Sequence, residues 1–143
     1  PLGVAINYEL DAVIEDATGR ALIEKRPAHK HLGLKWDFAG GKVVAGESPE
    51  SALVREIREE LGCDLVLRRT LPRFIHDYGS VVIEMIPFVC TLAPGSPAPH
   101  PHEHAALRWA APAELPFPEL APADWPVVEA WRKLAASKVS KNT

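Results

Sequence analysis

A mixed α/β domain is the fold class this chain predicts, and three observations carry that reading. Residues Ser48 to Gly62 spell one helix with both its start and its stop signals. Two pairs of β-compatible apolar runs flank short turns, and a second helical stripe, Val128, Trp131 and Ala135, lies near the end. At 143 residues the chain can bury a substantial core as one domain, 1–143, and it shows neither an internal repeat nor a linker.

Along the chain, Glu9 to Ile14 and Arg20 to Lys25 predict a hairpin, because the turn Ala17-Thr18-Gly19 separates two apolar runs. Pro49 to Leu61 is the helix: Ser48 is a good N-cap, Pro49 suits the first helical position and Gly62 is a natural stop. Asp64 to His76 and Ser80 to Thr91 form a second hairpin around Asp77-Tyr78-Gly79. Pro87 has no N–H to give a ladder, so it predicts an edge or a bulge. Prolines 94, 97, 99 and 101 keep Ala93 to His102 out of any sheet, and Ala106 to Ala110 returns as a short strand. Trp125 to Ala136 is the second helix, followed by a polar, frayed tail from Ser137 to Thr143.

The first helix carries the chemistry. At about 100° per residue, Glu56, Glu59 and Glu60 share one stripe, beside the apolar stripe of Leu53, Val54, Ile57 and Leu61. Like charges at i, i+3 and i+4 repel, so a cation should offset them. Hard divalent ions prefer oxygen donors, and magnesium leaves positions for water and substrate phosphates. The plain alternative is a solvated acidic face partly neutralised by Arg55 and Arg58. Ahead of the helix, Phe38-Ala39-Gly40-Gly41-Lys42 reads as a short loop whose glycines permit close backbone approach and whose carbonyls could serve a metal. Lys42 and Arg26 can answer phosphate charge, although a lone surface lysine carries little meaning by itself.

The spacing Gly41, five residues, Glu47, seven residues, Arg55-Glu56-Ile57-Arg58-Glu59-Glu60-Leu61-Gly62 resembles the signature of the Nudix hydrolase superfamily, with Cys63 at the closing hydrophobic position. Lys25 to Ala28, Trp36 to Val43 and His102 to Asp124 extend the likeness to the MutT-like branch, closest to pyrophosphohydrolases of CTP and modified nucleoside triphosphates. The resemblance implies an α/β/α sandwich around a mixed sheet and hydrolysis of a nucleoside triphosphate to monophosphate and pyrophosphate, with water attacking the β-phosphorus. It implies Mg2+ or Mn2+ held by the Gly40 carbonyl, Glu56, Glu59, Glu60 and Glu103. Glu56 is then the first choice for general base, with Glu103 second, and Gly41, Glu47 and Arg55 support the site. It matches Asp124 to the position that reads the base; an ionised carboxylate only accepts hydrogen bonds, which suits cytosine N4 and not uracil O4. Phe38 and Tyr78 are possible stacking partners.

Alternatives stay open at several of these residues. Asp124 could cap the second helix, Glu103 could be a solvated loop residue, and His100, His102 and His104 around Glu103 could suggest zinc, although an oxygen-rich site suits magnesium or manganese better. The enzyme could instead cleave ADP-ribose or a dinucleoside polyphosphate, or the chain could be a non-catalytic nucleotide-sensing module; its undamaged carboxylate set speaks against the sensor.

Composition limits the partners. A net charge of −3 offers no broad basic surface for a nucleic acid polymer. No apolar run is long enough for a membrane span and no signal peptide is evident, while two cysteines among apolar neighbours suit a reducing cytoplasm. The chain begins Pro1-Leu2-Gly3, to which no function is assigned, and its oligomeric state, monomer or small homo-oligomer, stays open.

Overall fold

The computed structural model describes residues 6–30, 32–102 and 106–141, with side chains as far as residue 137. The elements are β1 (Ile6–Glu15), β2 (Ala21–Lys25), β3 (Trp36–Asp37), β4 (Ala39–Lys42), α1 (Pro49–Leu61), β5 (Leu65–Thr70), β6 (Phe74–Asp77), β7 (Val82–Leu92), β8 (Ala106–Ala110) and α2 (Trp125–Lys141), with 3-10 turns at Pro112–Glu114 and Pro122–Asp124. Strand β1 is the spine. It pairs in parallel with β7 from Ile6↔Val82 to Glu15↔Thr91, and antiparallel with β4 from Glu9↔Lys42 to Ala12↔Ala39. The sheet is therefore mixed, and α1 lies in the long crossover that a parallel pair requires.

Alternate residues of β1 feed two cores. Leu10, Ala12 and Ile14 pack with Leu53, Ile57 and Leu61 of α1, while Val13 joins Met85, Val89 and the Val127, Val128 and Trp131 face of α2. One helix thus covers each sheet face, and burying an aliphatic side chain of this kind contributes about 1.5–3 kcal/mol. Cys63 and Cys90 belong to the core; burial pushes their thiols up to about 11 and about 12.

Helix α1 has the boundaries its punctuation predicts. The Ser48 hydroxyl accepts from Ser51 N–H at 3.1 Å, and Gly62, at φ 65°, donates its N–H to the Arg58 carbonyl. Four expectations change. The segment before the helix is strand, not loop, because Gly40 brings β4 so close to β1 that a Cβ there would collide with the Leu10 carbonyl. The first hairpin keeps its turn, where Asp16 Oδ1 accepts from the N–H groups of Thr18 and Arg20, but β1 and β2 pair only at Glu15↔Ala21. Since β4 occupies the rest of that β1 edge, β2 pairs with β3 and β8.

Pro87 lies in β7, an interior strand. Its carbonyl accepts from Leu71 N–H, so its nitrogen faces the break between β5 and β6, where no ladder acceptor is left wanting. The second hairpin accordingly folds as β7 against two short strands. Finally, α2 continues past Ala136 to Lys141, since neither glycine nor proline interrupts it.

Candidate active site

The N-terminal turns of α1 are tied to the loop before them by one guanidinium. Arg55 Nε and Nη2 donate to the two Glu47 carboxylate oxygens, each at 2.8 Å, a bidentate pair. Those hydrogen bonds hold the Glu47 carboxyl below its usual range and raise Arg55 further. The remaining nitrogen, Nη1, meets Glu56 Oε1 at 3.1 Å and Glu59 Oε2 at 3.2 Å. Arg55 therefore holds loop to helix and at the same time neutralises two of the three acids on the stripe.

Strand β4 supplies the other wall. A Cβ on Gly41 would run into the Glu56 carboxyl, so only glycine lets that side chain lie flat against the strand. Glu60, Gly40, Gly41 and Lys42 line a hollow of about 270 Å³. A second hollow of about 490 Å³ reaches Tyr78, Ala123 and Asp124. Glu9, Asp11, Arg26, Asp37 and Lys42 wall both, which makes them one cleft with a glycine-and-glutamate end and a deeper acidic end.

At the acidic end, Asp11 and Asp124 are 5% and 3% exposed. Their carboxyls are hydrogen-bonded to each other, and Asp124 Oδ2 accepts from Phe38 N–H at 3.1 Å. Asp37 pairs with Arg26 Nη1 at 3.1 Å. Burial, reinforced by the neighbouring Asp124 charge, pushes the proton affinities of Asp11 and Asp37 well up; burial also raises Asp124 and Glu9. With Arg26 and Lys42 as the cations of these walls, the cleft suits a polyanion at one end and hydrogen-bond donors at the other.

The structure brings most of the expected residues to this cleft. Arg26, Gly40, Gly41, Lys42, Glu60, Tyr78 and Asp124 line it, and Glu56 abuts Gly41. Glu59 stands apart, its side chain 62% exposed and engaged by Arg55, and among the described residues no three His, Cys, Asp or Glu side chains converge as a metal cluster. Phe38 is 3% exposed and packs in the α2-side core, so its contribution to the cleft is its backbone N–H and not an open ring for stacking. The Asp124 side chain reaches back to Phe38 instead of forward into α2, which is not a helix cap. Glu103 and His104 lie outside the described residues; the loop leading to them is pinned to the end of α1 by His100 N–H donating to the Leu61 carbonyl.

Sequence reasoning missed Glu9, Asp11, Glu24 and Asp37, all of which line the cleft. The available signal was acids alternating with apolar residues inside strands, as in Glu9-Leu10-Asp11 and in Glu24 after Leu22-Ile23.

An oxygen-only donor set, with Glu56 seated where a side chain on Gly41 would displace it, fits a hard divalent cation. Comparison with known proteins agrees with this geometry. The model of the NUDIX domain family matches residues 8–131. A CTP pyrophosphohydrolase of Escherichia coli is 40% identical over 139 residues, covering 91% of this chain and 95% of its own length. An 8-oxo-dGTP diphosphatase of Proteus vulgaris is 38% identical over 79 residues, covering 55% of this chain and 70% of its own. Among solved structures, the E. coli ORF135 protein superposes with a TM-score of 0.81 at 37% identity, over 96% of both chains. A MutT NUDIX hydrolase from Burkholderia pseudomallei gives 0.74 at 29% identity, covering 88% of this chain and 98% of that one.

Proposed function

The chain belongs to the NUDIX family and is a hydrolase, and from that premise we propose that it cleaves nucleoside triphosphates, cytosine-bearing ones by preference and 5-modified ones among them, to monophosphate and pyrophosphate. Its role is then to clear unwanted nucleotides from the pool. The observation that carries the reading is the two-ended cleft: a glycine-floored, glutamate-walled end for phosphates, joined through Arg26 and Lys42 to a buried acidic end for a base.

Phosphoryl transfer asks a protein mainly for positioning and charge stabilisation. Lys42 and Arg26 hold the phosphate oxygens. Glu56, seated on Gly41, takes the proton of the attacking water, with Glu103 as the other candidate base. Glu47 and Arg55 keep loop and helix in register, a supporting role of the kind that fixes ligand orientation. Glu56, Glu59, Glu60 and the Gly40 carbonyl, with Glu103, would hold Mg2+ or Mn2+, Glu59 having first to release Arg55. Such an ion supplies, when bound, neutralisation of phosphate charge and stabilisation of the departing nucleoside monophosphate. Phe38 supports the base end through its backbone, and Tyr78, half-exposed beside it, offers a ring to the base.

The reading places the enzyme in the cytoplasm, supported by two buried thiols with raised proton affinity; among the described residues no helix is long and apolar enough to cross a membrane. A screen of CTP, UTP, dGTP, ATP and ADP-ribose with Mg2+, following pyrophosphate against phosphate release, tests it. Pyrophosphate from CTP is expected; cleavage of ADP-ribose alone would replace the substrate class, and no turnover of any would return the chain to a sensor. In ¹⁸O-water the label should enter pyrophosphate, and label in the monophosphate would move attack to the α-phosphorus.

A further inference from the structure

Asp11 sits in the middle of β1, between Leu10 and Ala12, which belong to the α1-side core, and its side chain points the other way, into the cleft wall. A carboxyl at 5% exposure in a central strand is costly unless something donates to it. The Asp11 carboxyl lies against that of Asp124, and its Oδ2 is buried with no donor from any other group. Asp124 is better satisfied, with Oδ2 accepting from Phe38 N–H and its carboxyl also bonded to Asp11. Asp37 Oδ1 is buried without a donor as well, but the other Asp37 oxygen is held by Arg26, so among the described residues Asp11 is the one of these two acids to which the structure gives no hydrogen bond from a cation.

We propose that Asp11 is a specificity-determining residue of the same reaction, its carboxyl accepting a hydrogen bond from the amino group of the nucleotide base through the oxygen turned away from Asp124, with Asp124 acting as the positioning residue that holds it. The inference rests on the proposed function and deepens it. The hydrogen between the two acids lies on the side facing Asp124, so the Asp11 oxygen turned away from Asp124 offers lone pairs whichever acid carries it. An amino group is matched and a carbonyl oxygen is not. A site that hydrogen-bonds its substrate discriminates strongly against an analogue lacking the donor, because its own buried polar atom is then left unpaired.

The test compares kcat/KM for CTP and UTP in the native enzyme and in Asp11→Leu, Asp11→Asn and Asp124→Asn. The native enzyme is expected to prefer CTP by at least about tenfold. Asp11→Leu, similar in size but without an acceptor, should collapse that ratio towards unity through KM for CTP. Asp11→Asn should keep it, since its amide can donate to Asp124 while its carbonyl replaces the accepting carboxyl oxygen. Asp124→Asn should lower both specificity constants together. A purely structural role for Asp11 would depress both nucleotides alike in Asp11→Leu, and that result overturns the proposal, as does a ratio lost in Asp124→Asn but kept in Asp11→Leu. The ratio is independent of the fraction folded. Should Asp11→Leu yield no active protein, N4,N4-dimethyl-CTP on the native enzyme, compared in Asp124→Asn, serves instead. Turnover equal to CTP overturns the proposal, and selective loss in both enzymes supports it. Turnover of neither CTP nor UTP by the native enzyme would refute the proposed function itself, which distinguishes that failure from this one.

Discussion

Glu56 and Glu59 stand within a turn of each other on α1 yet meet different neighbours. The Glu56 side chain is 19% exposed against Gly41, while that of Glu59 is 62% exposed and held by Arg55. Changing either to Gln keeps the size and removes the charge. Each substitution is expected to lower turnover at least about a hundredfold without unfolding the protein, the scale of lost electrostatic stabilisation. Excess chelator should abolish activity; near-normal rates in either variant, or in chelator, would refute the metal assignment. Gly41→Ala should mimic Glu56→Gln, because the new methyl displaces the Glu56 carboxyl, and circular dichroism should show the fold retained. These residues were legible because their spacing lies along one helix and the loop before it. Asp11 was not, because its meaning comes from Asp124, brought to it from the other end of the chain by the sheet and a 3-10 turn.

Element by element, α1 was read to the residue, since Ser48, Pro49 and Gly62 act locally. Replacing Ser48 by Ala should cost about 1 kcal/mol in a urea unfolding experiment. The strand at Gly40-Gly41 was hidden by its composition, as diglycine ordinarily marks a turn; only the contact with Leu10 shows why glycine serves in a strand here. Gly40→Ala is therefore expected to destabilise by about 1–3 kcal/mol or more, the range for overpacking. Equal denaturation midpoints for Gly40→Ala and the native chain would refute that close approach. Pro87 taught a related lesson: its tolerance depends on which neighbour is interrupted opposite it, and one strand's sequence does not contain that information.

Across the whole molecule, the acidic cleft makes stability depend on pH. Asp11 holds its proton more tightly in the native state than at its ordinary 3.8, chiefly through burial and then through Asp124. Such a group stabilises the native state below the unfolded value and loses that contribution as pH rises through the native one. Asp11→Asn, uncharged throughout, should match the native protein near about pH 3.5 and become progressively more stable than it towards about pH 8, by chemical denaturation at each pH. A constant difference across that range would show that Asp11 does not titrate on folding.

The parallel register of β1 with β7 also dictates an order of events during synthesis. Strand β1 leaves the ribosome well before its full-length neighbour, Val82 to Leu92, and finds its second core only after Trp131 has been made. Non-local pairing of this kind slows folding and leaves apolar strands uncovered in the interval. Nascent chains arrested before Val82 should be digested readily by protease, and protection should arise only once α2 has emerged, so it is the completion of α2 that shields β1.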